Sequence, residues 1–184
     1  MDSENYQRYQ TTMVSTYYPD TSFLDYLVMP DGTEQSYSSD LLTMLLSGKV
    51  FIVNSRRRNG LILFKRYHAE FAGPGAAVGG DYDRDCRGAL PIGNLSLLNP
   101  ESHEERQKAY LIRRQWIRLI KQITENQVPG QRIQKILDQF EQYFPPEMVA
   151  QLPDEAFALL VGVIPQTVAI LRRMSSEEES SFDD

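Results

Sequence analysis

The sequence predicts an α+β protein, with a small β-rich N-terminal domain followed by an all-α domain that ends in a helix-turn-helix. Three observations carry this. Two apolar, β-branched runs, Val50–Val53 and 61–67, flank the turn-forming pair Asn59-Gly60. From Ser102 onward the apolar residues recur at helical spacing. Near the C-terminus Ala158 and Gly162 stand four residues apart among apolar positions, the spacing at which one short helix crosses another.

Taken in order, residues 1–22 are rich in Tyr, Gln, Thr and Ser without a period, and are expected as a flexible arm. Residues 23–99 form the β-rich domain. An apolar run at 23–29 is closed by the turn signal Pro30-Asp31-Gly32. Ser39-Asp40 is placed to cap a short helix through Leu46, with Gly48 ending it. The two β runs are expected as a hairpin, because Asn59-Gly60 readily takes the positive φ values of a type I′ turn. The glycines and prolines from Gly73 to Asn99 read as loop.

A long connecting helix is expected over residues 102–127, opened by the capping box Ser102/Glu105. Its apolar residues Leu111, Ile112, Trp116, Ile117, Leu119, Ile120 and Ile123 are wide for one face, which suits a second contact with another copy of the chain. Val128-Pro129-Gly130 breaks it. The helix-turn-helix domain, residues 131–174, begins with a helix whose stripe is Ile133, Ile136, Leu137, Phe140 and Phe144, stopped by Pro145-Pro146. An acidic, serine-rich tail, residues 175–184, is expected to be disordered.

For the helix-turn-helix itself, Ala158 supplies the small residue at the crossing and Gly162 tolerates left-handed backbone. Phe157, Val161, Val163, Val168 and Leu171 fall at inward spacings, and Pro165 opens the second helix without needing an amide there. The same spacing also fits an ordinary helical hairpin packing its own core. In the second helix Gln166 and Thr167 are the side chains positioned to address base edges, Arg172 and Arg173 are positioned for phosphates, and Ile170 leaves an apolar exposed position.

This arrangement resembles the CRP/FNR family of bacterial transcription regulators, which join a β-roll, a dimerisation helix and a C-terminal helix-turn-helix. Residues 45–50 with Asn59-Gly60 resemble early roll strands, and residues 71–80 resemble the family's glycine-marked turn. The helix at 104–125 stands where the dimer helix would. Residues 132–137 resemble the start of the DNA-binding domain, and 153–173 its recognition unit. The resemblance implies a divergent member with a degenerate, shortened roll and no wing. The family's Gly-Glu and Arg-Ser/Thr-Ala phosphate elements are only echoed by Gly80-Asp81 and Arg87-Gly88-Ala89, at shorter spacing. No cofactor is therefore expected.

Charge bears on the partner. The net charge is −6, but five acids (Glu177, Glu178, Glu179, Asp183 and Asp184) lie in the last eight residues. Without them, 19 basic residues face 20 acidic ones, so strong unaided DNA binding is not predicted. Arg56, Arg57 and Arg58, with Lys65 and Arg66 across the expected hairpin, form a candidate phosphate patch, although a charged hairpin tip is more often simply solvated. Arg106, Arg113, Arg114, Arg118 and Lys121 are a candidate basic face on the long helix.

Catalytic and metal chemistry find little support. His68 and His103 have no metal-ligand spacing with Cys86, so no metal is expected. The Asp81-Tyr82-Asp83-Arg84-Asp85 run puts Cys86 and Ile92 where a calcium loop needs Gly and Glu. Cys86, between Arg84 and Arg87, reads as an inert thiol, with redox sensitivity the sharper alternative. A single cysteine, no run of eighteen apolar residues and no secretory signal point to a cytoplasmic protein. The expected function is a non-enzymatic, DNA-binding transcription regulator aided by a protein partner, with a homodimer through the helix at 104–125. The alternative is a protein–protein adaptor whose helix-turn-helix no longer reads DNA.

Overall fold

The computed structural model describes residues 7–8 and 35–180. The expected apolar run at 23–29, the turn at 30–32, residues 181–184 and most of the 1–22 arm lie outside the described residues. The fold is α+β, in two compact units, Met1–Arg118 and Leu119–Asp184.

The first unit holds seven strands among the described residues: β1 (Gln7–Arg8), β2 (Val50–Val53), β3 (Asn59–Phe64), β4 (Ala69–Ala72), β5 (Ala77–Gly79), β6 (Gly88–Gly93) and β7 (Ser96–Leu98). They form two antiparallel sheets, of order β1-β7-β2-β5 and β4-β3-β6. Pairing is nested. β2 joins β7, with Val53 opposite Leu97, and inside that pair in sequence β3 joins β6, with Leu61 opposite Pro91. Phe51, Val53, Leu61, Leu63, Val78, Ala89 and Leu97 from both sheets share one core with Leu41 and Leu45 of helix α1 (Gln35–Leu46). Burying one such aliphatic side chain stabilises by about 1.5–3 kcal/mol.

Three expectations are corrected here. Helix α1 begins at Gln35, so Ser39-Asp40 lies inside it and does not start it. The β2–β3 hairpin does not form, because the two strands belong to different sheets. Asn59 and Gly60 lie within β3, and the fully buried Asn59 amide donates to the carbonyls of Asn54 (2.8 Å) and Arg57 (3.0 Å), while its oxygen accepts from Ser96 N–H (3.2 Å). Those bonds close the 54–58 loop from beneath, which a solvent-exposed Asn-Gly turn would not do. Finally, the stretch from 73 to 99 contains β5, β6 and β7, because its positive-φ glycines (Gly75, Gly79, Gly80 and Gly93) fall at the ends of the short strands or between them. In the 1–22 arm, residues 7 and 8 pair with β7.

Helix α2 (His103–Thr124) follows. The Ser102 hydroxyl accepts from Glu105 N–H (3.1 Å), and the Glu105 carboxylate accepts from Glu101 N–H (2.7 Å), one residue before the usual partner in a capping box. From Leu119 the helix counts with the second unit, whose other helices are α3 (Pro129–Tyr143), α4 (Pro146–Ala150), α5 (Asp154–Val161) and α6 (Pro165–Ser180). The stripe Ile133, Ile136, Leu137, Phe140 and Phe144 is buried as its spacing predicts, with the Phe140 ring 5.3 Å from that of Phe157. Helix α6 runs to Ser180, so residues 175–180 are helical where composition pointed to disorder. Glutamate favours helix, and no Gly or Pro follows Met174 to stop it. Among the described residues no single helix is long and apolar enough to cross a membrane.

Candidate functional site

In the second unit, α5 and the α6 segment from Pro165 to Met174 meet at 115°. Gly162 makes the corner possible. It sits in the left-handed region (φ 65°, ψ 52°), and Val163 N–H reaches back to the Ala158 carbonyl at 3.0 Å, the long backbone bond of a Schellman-type stop. Arg132 of α3 donates to the carbonyls of Val161 (3.1 Å) and Gly162 (2.9 Å), satisfying acceptors left over at the end of α5. Phe157, Ala158, Val161 and Val168 are buried, and Val163 and Leu171 are half-buried.

The residues singled out on α6 divide. Gln166 and Arg173 are exposed, the latter with its Nε donating to the Ala169 carbonyl, and Thr167 is half-buried. Arg172 is not displayed for phosphate. Its guanidinium donates to the carbonyls of Leu152 (2.8 Å) and Val149 (2.6 Å), pairs with Asp154 at 2.6 Å and lies over the Phe157 ring. It ties α6 to the start of α5, so its role is positioning. Three large apolar side chains stand out in solvent around α6: Ile164 (63%), Ile170 (52%) and Met174 (53%).

A groove of about 690 Å³ beside α6 is lined by residues that include Leu137, Glu141, Val149, Asp154, Arg172 and Arg173. Its charges are of both signs, and two of them, Arg172 and Asp154, are paired with each other. Charge is partitioned between the units. Leu119–Asp184 holds five Lys and Arg against eleven Asp and Glu, and so carries the whole net charge of −6, while Met1–Arg118 has fourteen of each. Such a unit repels a phosphate backbone at long range.

In the first unit Arg56 and Arg58 are exposed and Arg57 is half-buried, on the loop pinned by Asn54 and Asn59. Lys65 is not part of that patch. It is buried and donates to Asp83 (3.1 Å), Asp85 (2.5 Å) and the Tyr82 carbonyl (3.0 Å). Nor does Arg113 belong to a basic face of α2. At 1% exposure it points into the unit, where its Nη2 donates to Glu70 (2.6 Å) and Asp83 (3.3 Å). Spacing carried the signal that was missed, since Arg113 interrupts the inward stripe Ala109, Trp116, Ile120 and Ile123.

This buried charge set shapes its neighbours' titration. Burial pushes the Glu70 carboxyl up, but the charge and hydrogen bond of Arg113 outweigh it and hold Glu70 below its ordinary range. Burial pulls the Lys65 ammonium down, and the carboxylates of Asp85 and Asp83 more than restore it. Burial pushes the Cys86 thiol to about 11, and its Sγ lies 3.0 Å from the Gly88 carbonyl, so Cys86 is an inert core thiol. Among the described residues no three His, Cys, Asp or Glu side chains are grouped to hold a metal ion.

No protein-family model matches the chain, and no curated protein matches it either.

Proposed function

We propose that the protein is a non-enzymatic transcription regulator of CRP/FNR-like kind, acting through a C-terminal helix-turn-helix and engaging DNA with help from a protein partner. The observation that carries this reading is the 115° corner of α5 and α6 about left-handed Gly162, over buried Ala158. Helices crossing at about 90–120° over a short turn are the hallmark of that motif. Gln166, exposed in the first turn of α6, is the residue for base contact, with Thr167 beside it and Arg173 at phosphate. The need for a partner follows from the −6 charge of the unit and from the internal engagement of Arg172. A cytoplasmic location and a homodimer through α2 belong to the same proposal.

Fluorescence anisotropy on mixed-sequence duplex DNA over a salt series tests it. The expected result is weak binding that falls with salt, weakens further in Gln166→Ala and tightens when residues 175–184 are deleted. Absence of binding at every salt concentration, with and without the tail, overturns DNA engagement by this chain alone. It leaves the second reading, a protein–protein adaptor. That reading is favoured by the exposure of Ile164, Ile170 and Met174, and it predicts a partner contact sensitive to Ile170→Glu.

A further inference from the structure

Asp83 is held as a bound anion is held. One carboxylate oxygen accepts from Lys65 (3.1 Å) and Arg113 (3.3 Å), and the other accepts from Gly79 N–H at 2.7 Å. Asp83 and both cations are almost completely buried. The backbone around this cradle has little room to move. Gly79 has φ 80° and is so close to the Lys49 carbonyl that no Cβ fits, and a Cβ at Gly80 would press on Val50. Arg113 retains donor capacity, for its buried Nε–H has no acceptor. An ammonium, a guanidinium and an inward-pointing amide are the groups that hold a small free carboxylate.

We propose that the Asp83 carboxylate is the built-in anion that seats α2 on the sheets, and that the junction accepts a small carboxylate from solution in its place when the Asp83 side chain is removed. Arg113 is the buried ionic tie from α2 into the strands, reaching Glu70 of β4 and Asp83 in the turn after β5. With the Asp83 carboxylate removed, Lys65 and Arg113 both lose a counter-ion in a region closed to water, the situation in which breaking a buried pair is most damaging. The seat of α2 then loosens. A carboxylate from solution, entering the space left by the side chain, restores it.

Trp116, the one tryptophan in the chain, reports that seat. It lies against Gly73, with its ring edge-on to Phe71 at 5.0 Å. In Asp83→Ala, Trp116 emission is expected to shift to the red and acrylamide to quench it more strongly. Formate is expected to reverse both changes saturably, bulkier acetate less so, and chloride at equal ionic strength not at all. Wild-type emission stays unchanged by formate. Wild-type quenching in Asp83→Ala overturns the proposal, and so does an exposed Trp116 that formate does not restore.

Two further variants keep the test decisive. Asp83→Asn preserves shape without charge and applies if the alanine variant fails to fold. Raised quenching in it supports the built-in ligand, and unchanged quenching overturns it. The double variant Asp83→Ala/Arg113→Met removes anion and cation together and is expected to ignore formate. A formate response undiminished in that variant also overturns the proposal.

Discussion

Arg172 and Asp154 form an ion pair at 2.6 Å that joins the body of α6 to the first residue of α5. The same guanidinium satisfies the carbonyls of Val149 and Leu152. Arg172→Ala is therefore expected to destabilise the second unit by about 1–3 kcal/mol, since it leaves acceptors unpaired. Arg172→Lys recovers only part of this, because a point charge cannot replace the planar fork. Urea unfolding followed by circular dichroism measures both. An alanine variant of wild-type stability that loses only DNA affinity would return Arg172 to the phosphate role.

The left-handed glycines separate backbone cost from steric cost. Around Gly162 the nearest atoms to an added Cβ are at 3.7 Å, so Gly162→Ala meets only the left-handed backbone penalty, about 1–2 kcal/mol. Gly162→Asn costs less, because asparagine tolerates this conformation. At Gly79 the same substitution also drives a Cβ into the Lys49 carbonyl, so Gly79→Ala is expected to be clearly worse than Gly162→Ala. Comparing the two midpoints in urea checks the order.

Gly73 allows Trp116 to lie against the backbone. A Cβ there overlaps the indole ring, so Gly73→Ala displaces Trp116 and costs about 1–3 kcal/mol of overpacking. A changed Trp116 emission maximum together with a lower thermal midpoint is the expected result. An unaltered spectrum contradicts the close contact.

Stability should form a plateau bounded by two groups of the buried charge set. Glu70 titrates lower in the folded protein than its ordinary 4.5, so its contribution is complete above that value and is lost as pH falls through the folded one. Lys65 titrates higher than its ordinary 10.5, so its contribution is complete below that value and is lost as pH rises through the folded one. Thermal midpoints of Glu70→Gln should therefore depend less on pH at the acid limb than those of the wild type.

Cys86 should resist alkylation. With its thiol pushed to about 11, it is about one part in a thousand thiolate at pH 8. Iodoacetamide is expected to label the urea-unfolded chain readily and the native protein scarcely. Fast native labelling contradicts the burial.

Local signals were legible in the sequence and non-local ones were not. The start of α2 at Ser102, the apolar stripe of α3 and the stop at Gly162 each follow from residues within one or two turns of the feature. Strand pairing does not work that way. Asn59-Gly60 satisfies every local requirement for a hairpin, yet Asn59 is consumed by Asn54 and Ser96, and β3 finds β4 and β6 instead of β2. On α6 the exposure of Gln166 and Ile170 followed from helical spacing. The fate of Arg172 depended on Val149 and Leu152, whose carbonyls come from the chain around α4. Asp83 looked like one acid in a charged loop until Lys65 and Arg113 converged on it.

The nested pairing of β2 with β7 around β3 with β6 also sets a timetable for synthesis. When β2 leaves the ribosome, neither of its neighbours in that sheet, β5 and β7, has been made. At about 5–20 residues per second the nascent chain carries Val50–Val53 without a partner for about one to five seconds before Ala77–Gly79 emerges, and with one edge open until Ser96–Leu98 follows. Until then an apolar, β-branched edge is open to any other strand, so the interval before β7 is made is the one in which the first unit is most exposed to mispairing.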